Sequence, residues 1–116
     1  MRNFREYEIW QKAIEISIEV YNMTADFPAR EIYSISNQLQ RASVSIASNI
    51  AEGSSRTSEK EFSRYLEYAL GSAYEVETQI TIASKLKYID QKKKEEFLCK
   101  LTILEKQINQ FRNKLK

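Results

Sequence analysis

Apolar side chains recur along the chain at alternating intervals of four and three residues. Ile9, Ala13, Ile16, Val20 and Met23 form the first such row. It breaks off at Phe27-Pro28, because proline disfavours helical backbone at the residue before it. The second row is Ile35, Leu39, Ala42 and Ile46, with Asn49 and Ile50 sharing the next place. It runs out at Gly53, which is able to take a left-handed C-terminal cap. Ser58-Glu59-Lys60-Glu61 then reads as a capping box, in which the serine and the second glutamate satisfy each other's free backbone amides. Behind it come Phe62, Leu66, Ala69, Ala73, Val76, Ile80 and Ala83. Asp90 is a good N-cap for a fourth row, Phe97, Leu101, Leu104, Ile108, Phe111 and Leu115. The spacing predicts helices over about 5–25, 34–53, 58–87 and 91–115.

Four helices with a common 3.5-residue seam and short connections predict an all-α fold, an antiparallel up-down four-helix bundle that fills residues 1–116 as one domain. A three-helix domain with a loose tail is the alternative, and the regular row from Phe97 to Leu115 argues against it. Composition agrees, since two glycines and one proline in 116 residues leave too few turn residues for a many-stranded sheet.

Helix two departs from the usual surface pattern. From Ile35 to Ala51 only Arg41 is charged, whereas a helix covered on one side shows charges across its outer face. Burial on two sides is therefore expected. Val44, Ala47 and Ala51 project to the back as a small, smooth strip. On helix three, Gly71 faces outward beside Tyr74 and costs about 1 kcal/mol of helix stability relative to alanine. Both features predict a homo-oligomer that uses the outer faces of helices two and three. The alternative is a monomer with a bland surface.

The same projection aligns Gln38, Arg41, Ser45, Asn49 and Glu52 on one flank of helix two, and Tyr68, Ser72, Glu75 and Gln79 on one flank of helix three. An antiparallel register that brings Arg41 level with Ser72 and Glu75 predicts a polar network. In it Arg41 pairs with Glu75 and Asn49 satisfies backbone or hydroxyl groups. A ligand pocket along this flank is the other reading.

Charge matters more by segment than in total. The net charge is +2, but residues 87–116 carry nine basic and four acidic side chains. Lys87, Lys92, Lys93, Lys94, Lys100, Arg112, Lys114 and Lys116, with Arg56 as a further contact, are candidates for phosphate binding to RNA or DNA, multiplied by subunit repetition. The alternative is an adaptor that binds a protein partner, its lysines serving solubility. Tyr65 and Tyr68 are expected to pack rather than to stack on bases.

Several classes are disfavoured. Without histidine there is no imidazole base and no commonest nitrogen metal ligand, and one cysteine makes no thiolate zinc site. Carboxylate di-metal centres of helical bundles use Glu-x-x-His pairs, which this chain lacks. We expect no enzymatic activity, no cofactor and no metal. Glu52 and Glu75, the remaining acid–base candidates, each have an expected structural partner. The lone cysteine, the absence of a signal-like N-terminal segment and the lack of an apolar run of bilayer length lead us to expect a cytoplasmic protein with no membrane association.

"FREYEIWQKAIEISIEVY", "QLQRASVSIASNIAEGSSR" and "EFSRYLEYALGSAYEVETQI" resemble, in order and spacing, the family encoded in intervening sequences of bacterial 23S ribosomal RNA genes, the S23-type proteins. The resemblance covers about Phe4 to Ile89. Its signature is matched by Arg41, Ser45, Ile46, Asn49, Ile50, Ala51, Glu52 and Gly53, followed by the Phe62–Glu75 pattern. It implies an up-down bundle assembled into a ring-like pentamer, without established enzymatic activity. A related accessory protein of diversity-generating retroelements binds nucleic acid and a reverse transcriptase. Two departures stand out: Ala47 replaces a frequent proline, and a second basic residue near Ser54 or Ser55 is missing.

Overall fold

The computed structural model describes residues 2–115. Among them are four α-helices and no strand: α1 (Glu8–Thr24), α2 (Ile35–Ser54), α3 (Glu59–Lys85) and α4 (Gln91–Asn113). Short 3-10 turns at Phe4–Glu6 and Ala29–Glu31 precede α1 and α2. The molecule measures 44 × 25 × 20 Å.

Consecutive helices run antiparallel, as their cross-links require. Ser17 meets Ser43 (Oγ to Oγ, 3.2 Å) and Gln40 donates to Thr24 Oγ1 at 3.0 Å, which sets α1 against α2. Ser72 donates to Ser45 Oγ at 2.9 Å and Gln79 to Gln38 at 3.4 Å, which sets α2 against α3. Arg112 of α4 reaches Glu67 of α3 at 3.4 Å. Lys100 of α4 meets Glu19 of α1 at 3.2 Å and closes the four-helix bundle.

The apolar rows fill the interior. Leu39, Ile46, Ile50, Phe62, Leu66, Val76, Ile80, Phe97, Leu101, Leu104 and Ile108 are inaccessible or nearly so. Phe111 and Leu115 pack partly buried against them. The predicted N-caps act as such: Ser58 Oγ accepts from the Glu61 amide at 3.0 Å, and Asp90 Oδ1 from the Lys93 amide at 2.8 Å.

Three local expectations are corrected. The first helix does not start at residue 5, because Tyr7 is extended (φ −73°, ψ 127°) and separates a short turn from α1. This bend lays the Tyr7 ring 4.9 Å from Phe111 and 6.3 Å from Phe62. Gly53 is not a left-handed cap. It lies inside α2, buried, and the residue that caps α2, Ser55, is in right-handed conformation. A Cβ at residue 53 would stand 2.7 Å from Tyr65 Cβ and 2.9 Å from Phe62 Cδ1, so the glycine is required by close helix approach rather than by backbone conformation. Finally, α2 lacks charge first of all because α1 and α3 of the same chain flank it. Ala47 is buried within the single chain.

Candidate nucleic-acid interface

The α3–α4 connection gathers lysines at one end of the bundle. Lys85 closes α3, Lys87 lies in the turn, and Lys92, Lys93 and Lys94 occupy the first turn of α4. None of the five has an ion-pair partner among the described residues. A helix N-terminus carries partial positive charge, so three lysines there oppose the macrodipole, and α4 has no acidic residue in its first turn to offset them. The Asp90 cap counters the field, as do Asp26 and Glu96, which share a groove with Lys93. The turn is also strained: Lys87 is the only described non-glycine residue with positive φ, 67°. It occupies the left-handed position after α3, with the Tyr88 amide donating to Ala83 O at 2.9 Å, a place where glycine is preferred.

This end is closed by side chains from the opposite connection. Tyr88 Oη donates to Glu31 Oε2 at 2.6 Å, and the Phe27 and Tyr88 rings lie 5.4 Å apart. The bond from Tyr88 holds the Glu31 carboxyl below the usual carboxylate range, and the same bond pushes the phenol up.

The other basic candidates lie elsewhere. Arg112 is engaged by Glu67 and Ser63, and Lys100 by Glu19, on the flanks of α4. Arg56 sits at the far end, in the α2–α3 turn, donating to Tyr65 Oη at 2.8 Å with its guanidinium 4.7 Å above the same ring. Arg2 donates to the carbonyls of Ser54 and Arg56 and covers Phe62, so that turn is tied down by cations used internally. Lys114 follows α4 at the same far end. Lys116 lies outside the described residues. The described candidates therefore do not form one surface, and a group of unpaired lysines gathers at the α3–α4 end, where Lys85 joins them.

Of the expected polar network, Ser45, Asn49 and Ser72 come together. Asn49 Nδ2 donates to Ser45 O at 2.9 Å and to Ser45 Oγ at 3.0 Å, and Ser72 completes the cluster. Arg41, Glu52 and Glu75 do not join it. All three are exposed, with no ion-pair partner among the described residues. The contacts of Ser72 with Ser45 and of Gln79 with Gln38 set Arg41 within one residue of level with Glu75, so the pair is missing because both side chains stand in solvent.

Two features escaped the sequence reading. Glu105 on α4 is buried at 8% exposure with Oε2 unpartnered; burial, and secondly the nearby Glu77 of α3, raise its pKa to about 7. Its place between Leu101, Leu104 and Ile108 was the available signal. α1 carries a second apolar row, Ile14, Ile18 and Tyr21, which remains exposed beside Val44 of α2. Phe4, Trp10, Ile14, Val44, Ala47 and Ala51 line a shallow groove on this face. Gly71 and Tyr74 lie exposed on α3, with nothing within 4 Å of a Cβ built at Gly71. Among the described residues no group of His, Cys, Asp and Glu could hold a metal ion, and no helix is long and apolar enough to cross a membrane.

The profile of the 23S rRNA-intervening sequence protein family matches residues 5–110 of the chain. The chain belongs to that family. A solved structure agrees in fold: a protein of unknown function from the S23 ribosomal protein family of Bacteroides thetaiotaomicron superimposes with a TM-score of 0.80. The two are 22% identical, over 90% of this chain and 97% of that one. No curated protein matches. In this family member the signature stretch around Asn49 and Gly53 does structural work, joining α2 to α3 by the serine–asparagine cluster and by close packing.

Proposed function

We propose that this protein is a non-enzymatic bundle that assembles with copies of itself and binds nucleic acid through the lysine-bearing α3–α4 end. The observation that carries the reading is the set of five unpaired lysines, three of them placed against the helix dipole. That arrangement destabilises an isolated helix and attracts anions. The family's association with ribosomal RNA genes and the absence of histidine support the same reading. Self-assembly is supported by the exposed apolar row of α1 with Val44 of α2, and the family resemblance makes a ring-like pentamer the expected form. Repetition would then multiply a modest charge per subunit.

Phosphate binding has a distinct salt signature. Affinity for a fluorescent RNA oligonucleotide should fall steeply between about 50 and 200 mM salt, and the triple variant Lys92→Gln, Lys93→Gln, Lys94→Gln should flatten that slope by about two units for an unpaired strand. Wild-type protein that binds neither RNA nor DNA at low salt would remove the reading. The apolar face also suits an adaptor role toward a different protein. Light scattering that reports a single 13.6 kDa species at micromolar concentration would favour it.

A further inference from the structure

Tyr33 is the most exposed large apolar side chain among the described residues, at 94%, and no hydrogen bond or ring contact holds it. It follows Ile32, itself 56% exposed, in the connection between α1 and α2. That connection is fastened to the lysine turn by the Tyr88–Glu31 hydrogen bond and by the Phe27–Tyr88 ring contact. Tyr33 is thus two residues from one side of a fixed link, while Lys87 is the immediate neighbour of its other side. A tyrosine in a core buries its ring, and one on a protein-binding surface is normally surrounded by groups that tolerate desolvation. Lysines are depleted from the buried centres of protein interfaces, so five unpaired ones at the same end of the bundle, on the connection to which this one is fastened, suit a polyanion better than an apolar partner. Within nucleic acids, a duplex hides its base faces, whereas an unpaired strand offers a base to an exposed ring and phosphates on either side of it.

We propose that the Tyr33 ring and the unpaired lysines of the α3–α4 turn together bind an unpaired nucleic-acid strand, the ring stacking on a base and the lysines holding the flanking phosphates. The proposal rests on the assignment of this end as the basic interface, and it adds the class of strand and the residue that distinguishes it.

Fluorescence anisotropy of a labelled unstructured RNA and of the same sequence in duplex, at low salt, tests it. Wild-type protein should bind the unpaired strand more tightly. Tyr33→Ala should lower that affinity about tenfold while leaving duplex binding unchanged, and Tyr33→Trp should retain it. Tyr68→Ala, at a half-exposed ring on α3, should leave both unchanged. Because Tyr33 is 94% exposed, its variants should keep the wild-type melting temperature. Salt-dependent strand binding that Tyr33→Ala does not weaken, or weakens equally for duplex, overturns stacking and leaves the basic interface standing. Wild-type protein that binds neither form removes both.

Discussion

Gly53 of α2 lies so close to Tyr65 of α3 that a Cβ on the glycine would stand 2.7 Å from the tyrosine's Cβ, and 2.9 Å from Phe62 as well. Neither obstacle is the far end of a flexible side chain. Gly53→Ala should therefore force the α2–α3 hairpin apart and destabilise the protein by about 1–3 kcal/mol, despite the better helix propensity of alanine. A urea unfolding midpoint equal to or above that of wild type would show that the helices yield easily.

Gly71 is the opposite case, a helical glycine with open space around it. Gly71→Ala should raise stability by about 0.5–1 kcal/mol and leave assembly intact, if copies meet through the apolar row of α1. Ile18→Glu should instead dissociate the assembly without unfolding the subunit, since Ile18 is 56% exposed and supports no core contact. Light scattering on the two variants discriminates the faces. Dissociation by the alanine and not by the glutamate would move the interface to α3.

Glu105 makes stability depend on pH. Its carboxyl is raised to about 7 in the folded protein, by burial and then by Glu77, so the unfolded chain releases this proton first as the pH rises. The contribution is fully present below the ordinary glutamate value and is lost as the pH climbs through about 7, a loss on the order of 3 kcal/mol. Glu105→Gln should flatten the dependence of the urea midpoint on pH across that window. An unchanged slope would assign the dependence to other groups.

Lys87 holds a backbone conformation that suits glycine. Lys87→Gly should stabilise the protein by about 1 kcal/mol while weakening strand binding at low salt, through the loss of one charge near the phosphates. Thermal melts and anisotropy on the same sample check the two effects. Gains in both stability and affinity would deny the lysine a part in binding.

The core was legible because its rule is one-dimensional. Leu66, Ala69, Ala73 and Val76 announce their burial by spacing, and Ser58 and Asp90 announce helix starts by identity and position. What depends on the third dimension was harder to read. Gly53 looks like a cap because a glycine one residue from a helix end fits both roles, and only the proximity of Tyr65 separates them. The Arg41–Glu75 pair failed although the register brings the two within one residue of level, because both side chains turn to water instead of to each other. The row Ile14, Ile18 and Tyr21 was hidden behind the stronger seam of the same helix, and the spread of basic residues over two ends followed from the length of α4. Tyr33 offered no periodic signal, since it lies in a connection.

The order of the helices bears on how quickly the chain finds its form. Three of the four helix–helix faces join elements that follow each other directly, while the α1–α4 closure, the Tyr88–Glu31 link and the N-terminal segment, whose Arg2 and Tyr7 reach Ser54, Phe62 and Phe111, bring distant segments together. Little loop entropy is lost before contacts form, so the search is short, in the range of microseconds to milliseconds for helical proteins of this contact pattern. A nascent copy can then bury its core before it meets another, which leaves the flank of α1 as the greasy surface still open when copies collide.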